Sequence, residues 1–129
     1  MKHPINILIV EDEVFIAMHL RMELRKSGYE VSGPVVTGEE AITRAAEEQP
    51  DIVLMDIRLA GKIDGIEAAR EIRAHDDIPI IFMTGYENNE VRERAQQLNP
   101  LAYFIKPVSI NDLKTAIDSA CKNHEGETS

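Results

Sequence analysis

Residues 52–56 read IVLMD, four consecutive apolar residues followed by an acid. An apolar run without polar alternation is typical of a strand that is buried on both faces of a parallel sheet. Two further runs have the same character, INILIV at residues 5–10 and IPIIFM at residues 78–83. Together the three runs predict the central strands of an α/β protein.

Two weaker strands are predicted outside this centre, at residues 29–36 and 102–105. The first contains Gly33 and Pro34. Proline in a sheet is confined to edges, strand starts and bulges, so we place this strand at an edge. The segments between strands have helical spacing or helix-start signals, including a Thr37–Glu40 pair typical of a capping box. The predicted helices span residues 13–26, 37–48, 65–74, 88–98 and 110–122.

Strand and helix thus alternate five times along the chain. Right-handed crossovers in such a chain place helices on both faces of one sheet. We therefore predict an α/β fold with a doubly wound, five-stranded parallel sheet. For its strands we expect the common order 2-1-3-4-5, the flavodoxin-like (βα)5 arrangement. With 129 residues, the chain has the size of one domain, which we assign to residues 1–122, followed by a polar and frayed tail at 123–129.

The composition restricts the kinds of partner. Fourteen basic and 23 acidic residues give a net charge of −9, which argues against direct binding to nucleic acid or to an anionic membrane. The single cysteine, Cys121, cannot form an internal disulfide and is expected to be a small core residue. Because no apolar stretch is long enough to cross a bilayer and no signal peptide is recognisable, we expect a cytoplasmic protein.

Charged and hydroxyl residues follow the predicted strands. Carboxyl ends of parallel strands meet at one edge of a sheet, so residues that are distant in sequence gather there. In the order 2-1-3-4-5, the first and third strands are neighbours about 5 Å apart, and a lysine after the fifth strand must reach across about two such spacings. The residues concerned are Glu11, Asp12, Asp56, Thr84 and Lys106.

Carboxylates gathered in this way repel one another, at a cost on the order of 4 kcal/mol for a pair 4 Å apart at an effective dielectric constant of 20. A positive charge must compensate for this repulsion between the carboxylates. Mg²⁺ prefers a few carboxylate oxygens together with water and phosphate oxygens, so Asp12 and Asp56 predict a magnesium site that also neutralises a phosphoryl group.

The same segments resemble the receiver domains of two-component response regulators, over roughly residues 3–122. The resemblance is carried by four motifs in chain order, and each falls at a predicted strand end. They are ILIVEDE with Glu11 and Asp12, IVLMDIRL with Asp56, IIFMTG with Thr84 and YFIKP with Lys106. Any one of them is a weak signal, whereas four in order are specific.

The resemblance implies a role for each residue. Asp56 would accept the phosphoryl group, Lys106 would pair with one of its oxygens, and Thr84 would move to hydrogen-bond another. Mg²⁺, with Mn²⁺ able to substitute, would be bound by the Asp12 and Asp56 side chains, by the Arg58 backbone carbonyl and by Glu11 through water. Tyr103 would be the switch aromatic that reshapes the surface of the fourth helix, fifth strand and fifth helix. Pro107 would follow a cis peptide bond.

The resemblance also implies partners. The phosphoryl donor would be a sensor histidine kinase or a histidine phosphotransfer protein, and the signal would pass to a downstream protein or output domain. The chain would be a monomer, or a phosphorylation-dependent dimer through the surface around the fifth strand. It would catalyse its own phosphorylation and slow dephosphorylation only, so we do not expect an enzyme.

The chain departs from the family pattern after Asp56. The family usually has a Met-Pro pair there, where this chain has Leu59 and Ala60, and a glycine eight residues after the phosphoacceptor, where Gly65 comes nine residues after it. The loop at residues 59–64 is therefore one residue longer. Arg58 and Tyr86 occupy places that in this family influence how fast the phosphoryl group is lost.

Three other functions are alternatives to that of a receiver. A haloacid-dehalogenase-like phosphatase has a second aspartate two residues after the nucleophile, where this chain has Arg58. A nucleotide-binding module would have a glycine-rich phosphate loop after the first strand, and no such loop is present. A degenerate receiver used only for docking would not need the intact Asp56, Thr84 and Lys106.

The remaining polar and apolar features have ordinary structural interpretations. The histidines, His3, His19, His75 and His124, lack metal-ligand spacing, so we expect them at the surface. Phe15, Met18 and Met22 form a second apolar stripe on the first helix. A wide core face is the favoured interpretation of this stripe, and a docking surface for a kinase or phosphotransfer helix is the alternative.

Overall fold

Strands and helices alternate throughout the described part of the chain. The structure, a computed structural model, describes residues 4–85 and 88–128, with side chains described as far as residue 120. The elements are β1 (Asn6–Val10), α1 (Val14–Lys26), β2 (Glu30–Val35), α2 (Gly38–Glu48), β3 (Ile52–Asp56), α3 (Gly65–His75), β4 (Ile80–Thr84), α4 (Asn89–Gln96), β5 (Ala102–Ile105) and α5 (Ile110–Thr128).

The five described strands form one parallel sheet in the order β2-β1-β3-β4-β5, which confirms the predicted topology. All residues of β3 and β4 are buried, in keeping with their continuous apolar sequences. The strand with Gly33 and Pro34 is β2, and it lies at an edge, as expected for a strand that contains proline.

Two apolar cores flank the sheet. On one face, α1 and α5 pack against the sheet through residues such as Leu20, Leu24 and Ile117. On the other face, α2 and α3 bury Ala41, Ala45, Ile66 and other residues, and α4 adds Ala95. Side chains alternate between the two faces of each strand, so both cores receive residues from the same apolar runs.

Side chains that cap the helices determine where the chain turns back to the sheet. Thr37 Oγ1 accepts a hydrogen bond from Glu40 N at 3.1 Å, so the predicted cap of α2 is present, while the Glu40 carboxylate lies 3.8 Å from Arg44. A reciprocal capping box lies at α3, where the Asp64 side chain accepts from Glu67 N and the Glu67 side chain accepts from Asp64 N.

The second apolar stripe of α1 does not belong to the core, so the favoured interpretation was wrong. Phe15 is 91% exposed, Met18 54% and Met22 49%. At 100° per residue, these three residues lie on the side of the helix opposite Ala17, Leu20 and Leu24, which already fill the space against the sheet. The stripe faces solvent.

The last helix is longer than predicted. We expected it to end near residue 122, followed by a frayed tail, whereas the backbone of α5 is helical to Thr128. The segment has no proline and no glycine before Gly126, so nothing in the sequence terminates the helix earlier. None of the helices in the described part of the chain is long and apolar enough to cross a membrane.

Candidate functional site

The ends of four strands meet at one edge of the sheet. Register places Val10 beside Met55, Asp56 beside Met83, and Thr84 beside Ile105. A common region at this edge therefore receives four groups of residues: the acids after β1, the last residue of β3, the last residue of β4 and the lysine after β5. The site predicted from the sequence depends on this arrangement of strand ends.

Three carboxylates gather at this edge. Glu11, Asp12 and Asp56 each offer an oxygen within 4.8 Å of the others. Glu11 is fully buried and Asp56 is 3% exposed, while Asp12 is half-buried. Burial removes these oxygens from bulk water, so the charge on them has to be compensated within the protein or by a bound cation. An all-oxygen set that is open to solvent on the Asp12 side suits Mg²⁺, which keeps part of its water shell.

Lys106 supplies the positive charge among the described side chains of this pocket. Its Nζ lies 2.5 Å from Glu11 Oε1, 3.2 Å from Asp56 Oδ2 and 4.0 Å from Glu13 Oε1. The backbone directs the side chain, because Lys106 N donates to Thr84 O at 2.7 Å. The peptide bond from Lys106 to Pro107 is cis, as the resemblance implied. The involvement of Glu13 was not foreseen from the sequence.

The charges in the pocket strongly influence one another. Burial raises the pKa of Asp56 to about 7, and the neighbouring Glu11 carboxylate adds to this rise, although Lys106 acts in the opposite direction. Burial alone would raise the pKa of Glu11 too, but hydrogen bonds with Asp56 and Lys106 hold that pKa below its usual value. Of the two carboxyl groups, Asp56 is therefore the one that binds a proton more readily, and Glu11 is the one that ionises more readily.

The residues after Asp56 bring a further backbone group to the pocket. Arg58 N donates to Asp56 Oδ1 at 3.3 Å, so the start of the β3–α3 loop turns toward the carboxylate. The Arg58 side chain is exposed. The backbone N–H of Arg58 is thus at the pocket, while its carbonyl as a metal ligand stays a prediction. Tyr86 lies outside the described residues.

Thr84 and Tyr103 lie on the same face of the sheet. Thr84 is 1% exposed at the end of β4, and Tyr103 on β5 is in register with Phe82, two residues before Thr84. Tyr103 is half-buried and packs against the core beneath α2, α3 and α4. The guanidinium carbon of Arg92 on α4 lies 5.1 Å from the centre of the Tyr103 ring. This ring therefore connects β5 to α4.

The surface histidines agree with expectation where the structure describes them. His19 and His75 are exposed and belong to no metal-binding cluster found among the described residues. His3 lies outside the described residues, and the side chains of His124 and Cys121 lie outside the described part as well. The exposed stripe of α1 begins at Phe15, and the exposed Val14 lies between it and Glu13 at the pocket.

Comparisons with known proteins agree with this geometry. Residues 7–118 match the family model described as the response regulator receiver domain. The transcriptional regulatory protein PdtaR of Mycobacterium tuberculosis is 41% identical over 117 residues, which cover 91% of this chain and 57% of that protein. The chain therefore spans little more than half the length of these relatives.

Two solved structures illustrate the likeness of the fold. A signal receiver domain of a modulated diguanylate cyclase from Desulfovibrio desulfuricans G20 is 39% identical, with a TM-score of 0.90 over 97% of this chain and 99% of that one. A CheY-like response regulator receiver domain protein from Methanospirillum hungatei JF-1 is 27% identical, with a TM-score of 0.87 over the same shares of the two chains.

Proposed function

The chain belongs to the response regulator receiver domain family, and on that premise we propose that it is a magnesium-dependent switch that is phosphorylated on Asp56. The observation that carries the proposal is the position of the Asp56 carboxylate. It is 97% buried at a strand end, 3.2 Å from the Lys106 ammonium and within 4.8 Å of two other carboxylates. A buried carboxylate next to an ammonium group and two other carboxylates is suited to accept a phosphoryl group and not merely to stabilise the fold.

The proposed chemistry is an in-line phosphoryl transfer. An Asp56 carboxylate oxygen attacks the phosphorus of a phosphohistidine, the P–N bond breaks with its electron pair returning to the imidazole, and an acyl phosphate forms. Water later attacks the same phosphorus, which releases inorganic phosphate and restores the carboxylate. Lys106 stabilises the charge on the transferred oxygens, because its ammonium already lies against Asp56 Oδ2.

The donor set fits Mg²⁺. Asp12 and Asp56 would bind it through their carboxylates, Arg58 through its backbone carbonyl and Glu11 through water, and Mn²⁺ would be able to replace it. When bound, the ion supplies charge neutralisation for the carboxylates and for the phosphoryl oxygens. Asp12, the half-buried member of the cluster, leaves room for the water that such an ion retains.

The switch would use Thr84 and Tyr103. Movement of the Thr84 hydroxyl toward a phosphoryl oxygen would vacate space on the face of the sheet that Tyr103 shares. Inward rotation of the Tyr103 ring would then change its contact with Arg92 and so the surface formed by α4, β5 and α5. This surface would engage a downstream protein or output domain, or a second copy of the chain, while the unphosphorylated chain would be a monomer.

The activity would be limited to the chain itself. It would promote its own phosphorylation and a slow loss of the phosphoryl group, and it would not act as an enzyme on other substrates. The place of a phosphatase's second aspartate is taken by the exposed Arg58. The net charge of −9 favours protein partners over direct contact with nucleic acid or membrane, and a cytoplasmic location suits such a signalling role.

The exposed stripe on α1 supports a helical phosphodonor, either a sensor histidine kinase or a histidine phosphotransfer protein. Val14 and Phe15 are 60% and 91% exposed and directly follow Glu13, whose carboxylate lies 4.0 Å from Lys106 Nζ. A protein that presents a phosphohistidine to Asp56 must cover this rim of the pocket. An apolar helix face on the donor would bury the stripe, in the helix-to-helix manner common in peptide recognition.

The test of the phosphoacceptor uses a small phosphodonor. With acetyl phosphate and Mg²⁺, intact-mass measurement should show one added phosphoryl group on the wild type and on Asp77→Asn, an exposed aspartate used as the matched control. Asp56→Asn should show none, and omission of Mg²⁺ should abolish labelling of the wild type. Equal labelling of Asp56→Asn would contradict the proposal.

The docking surface is tested by comparing two donors. Phe15→Ser should slow transfer from a phosphorylated histidine protein by about tenfold, as expected for an exposed aromatic at the centre of an interface. Transfer from acetyl phosphate should be unchanged, because the small donor does not touch α1. Met22→Ser, at the far end of the stripe, should have the smaller effect of the two. Equal slowing with both donors would show that the stripe serves the pocket and not a partner.

A further inference from the structure

The loop after the phosphoacceptor is closed against Asp56 at its base. Gly65 N donates to Ile57 O at 2.7 Å, and a Cβ at position 65 would lie only 2.1 Å from Asp56 O. The eight residues from Ile57 to Asp64 therefore leave the pocket and return to the same point. Both ends of the loop therefore lie against the backbone of Asp56, and Arg58 belongs to its first residues.

The tip of the loop is held by a carboxylate from another element. Glu39, in the first turn of α2, accepts hydrogen bonds from Ile63 N at 3.3 Å and from Lys62 N at 3.4 Å, one on each oxygen. Next to these bonds, Thr37 and Ala60 form an isolated parallel bridge. One side chain thus binds two successive backbone N–H groups of the loop.

Two glycines allow α2 and the loop to approach each other. Gly61 has a φ of +99°, and a Cβ there would lie 2.8 Å from Glu39 Oε2. Gly38, the first residue of α2, would place a Cβ 2.7 Å from the Ile63 side chain. A side chain at either glycine would crowd this contact, so the two glycines allow the Glu39 carboxylate to reach the loop.

Burial does not hold the tip of this loop. Ala60, Gly61 and Lys62 are exposed, and Leu59 and Ile63 are only partly buried. Without the Glu39 carboxylate, water would hydrogen-bond the N–H groups of Lys62 and Ile63, and the loop could then adopt many positions. The charge-assisted bonds to Glu39 restrict the loop to one of them.

We infer that Glu39 is a positioning residue for the phosphoacceptor pocket: by holding the loop at residues 57–64, it orients the backbone of Arg58 toward the carboxylate cluster. The inference rests on the proposed function for its consequence, which is tighter Mg²⁺ binding. It concerns the one-residue lengthening of this loop, for which Glu39 supplies the anchor.

The experiment compares Glu39→Ala with Glu40→Ala. Both variants remove an acid from the first turn of α2, so any effect of the helix dipole is matched, but the Glu40 side chain faces Arg44 and not the loop. Glu39→Ala should raise the Kd for Mg²⁺ by about tenfold, the lower end of the loss seen for outer-shell partners, because the carboxylate is exposed. Glu39→Gln, which retains one acceptor oxygen, should lie between wild type and alanine.

Two readouts separate positioning from a general structural role. At saturating Mg²⁺, the rate of labelling by acetyl phosphate should return to that of the wild type, because Asp56 and Lys106 are intact. Amide hydrogen exchange at Ile63 should be faster in metal-free Glu39→Ala and unchanged in Glu40→Ala. An unchanged Kd for Mg²⁺ or unchanged exchange at Ile63 would overturn the inference.

Failure of the inference can be told apart from failure of the proposed function. If wild-type Asp56 is not labelled, the proposed function fails, and the exchange at Ile63 still decides whether Glu39 holds the loop. If the wild type is labelled and binds Mg²⁺ with the same Kd as Glu39→Ala, the function stands and the positioning role is rejected.

Discussion

The pocket at the strand ends and the helix α4 are held in opposite ways. The pocket is built on β3 and β4, whose residues are all buried, and its own Glu11, Asp56 and Thr84 are among the buried polar residues of the chain. Of the eight residues of α4, all of them described, only Ala95 is buried. Close packing therefore holds the pocket in place, whereas the neighbouring helix α4 is not held by close packing.

Arginines take the place of apolar burial at α4. Arg73 of α3 donates to Leu98 O at 2.8 Å just after the helix, Arg94 pairs with Asp64 Oδ2 at 3.1 Å, and Arg92 stacks on Tyr103. Polar contacts at a partly exposed surface contribute little each and can be exchanged for water at small cost. The difference indicates that the pocket keeps its geometry while α4 can shift.

The largest expected effect comes from a cavity beneath the pocket. Phe82 of β4 is fully buried between Asp56's strand and Tyr103's strand. Phe82→Ala should lower the free energy of unfolding by about 3–5 kcal/mol, because it removes packed apolar volume from a core that cannot collapse to fill it. Urea unfolding monitored by circular dichroism measures this loss.

The comparison on the other region is Val91→Ala on α4, a smaller truncation at a valine that is only partly buried. Its cost should be no more than about 1 kcal/mol, the low end for large-to-small substitutions. If both alanine variants lost equal stability, the contrast between a packed pocket and a loosely held helix would be incorrect.

The next effect is a dependence on pH that belongs to the pocket. The folded-state pKa of Asp56 is about 7, above the value near 3.8 of an ordinary aspartate. Between these two pH values the folded state binds the proton more tightly than the unfolded state, so the stability of the metal-free wild type falls as pH rises from about 4 to about 7. The loss should be on the order of 4 kcal/mol, since a pKa difference of one unit between the folded and unfolded states corresponds to about 1.4 kcal/mol.

Asp56→Asn carries no titrating group at this position, so in EDTA its stability should not fall across the same pH range. Glu11 affects only the lower end of this range, because its folded-state pKa is lowered and its contribution to stability is complete once the pH is well above the ordinary value of 4.5. Thermal unfolding at several pH values measures both chains. Parallel stability curves for wild type and Asp56→Asn would show that burial and the neighbouring Glu11 carboxylate do not raise the pKa of Asp56.

A smaller effect is expected where α4 meets β5. Arg92→Ala removes the cation over the Tyr103 ring and should cost about 0.5–1 kcal/mol, the range for an exposed cation–π contact. Because this contact would have to change when Tyr103 rotates inward, the variant should also bind beryllofluoride slightly more tightly. Arg70→Ala, an exposed arginine on α3, is the control and should leave both quantities unchanged.

The smallest effect concerns the ion pair between Arg94 and Asp64. Asp64→Asn keeps a side-chain oxygen that can cap α3 but removes the charge opposite Arg94. The expected loss of stability is about 0.2–1 kcal/mol, and it should vanish in high salt. Hydrogen exchange should become faster in α4 and stay unchanged in β3. Faster exchange in both would mean that α4 is not a separately held element.

Much of this fold could be predicted because its strands are apolar without interruption. Runs such as INILIV and IPIIFM indicate burial on both faces, and alternation with helices then restricts the chain to a parallel sheet. Predicted and observed boundaries differ by a few residues at most strands. For example, β4 begins at Ile80 and not at residue 78, since Pro79 precedes it and has no N–H to donate to a neighbouring strand.

The first helix shows how an apolar pattern can mislead. The pattern of Phe15, Met18 and Met22 favours a core position, because apolar side chains are usually buried. A helix packed on a sheet buries one side only, and Ala17, Leu20 and Leu24 already occupy it. The angular separation of the two stripes was available from the sequence, but the side that faces the sheet was decided by packing.

The sequence by itself determined the alternation of strands and helices, the residues at the strand ends and the chemistry of a carboxylate pocket, because apolar periodicity and residue type can be read directly from the chain. The strand order was predicted as the common order for such a sheet, and the tertiary structure confirmed it. Only the tertiary structure decided that Lys106 reaches both Glu11 and Asp56, that Glu39 binds the loop after Asp56, and that arginines hold α4. These contacts join residues that are remote in sequence through side chains whose directions depend on how the helices pack. Sequence periodicity carries no information about such distances.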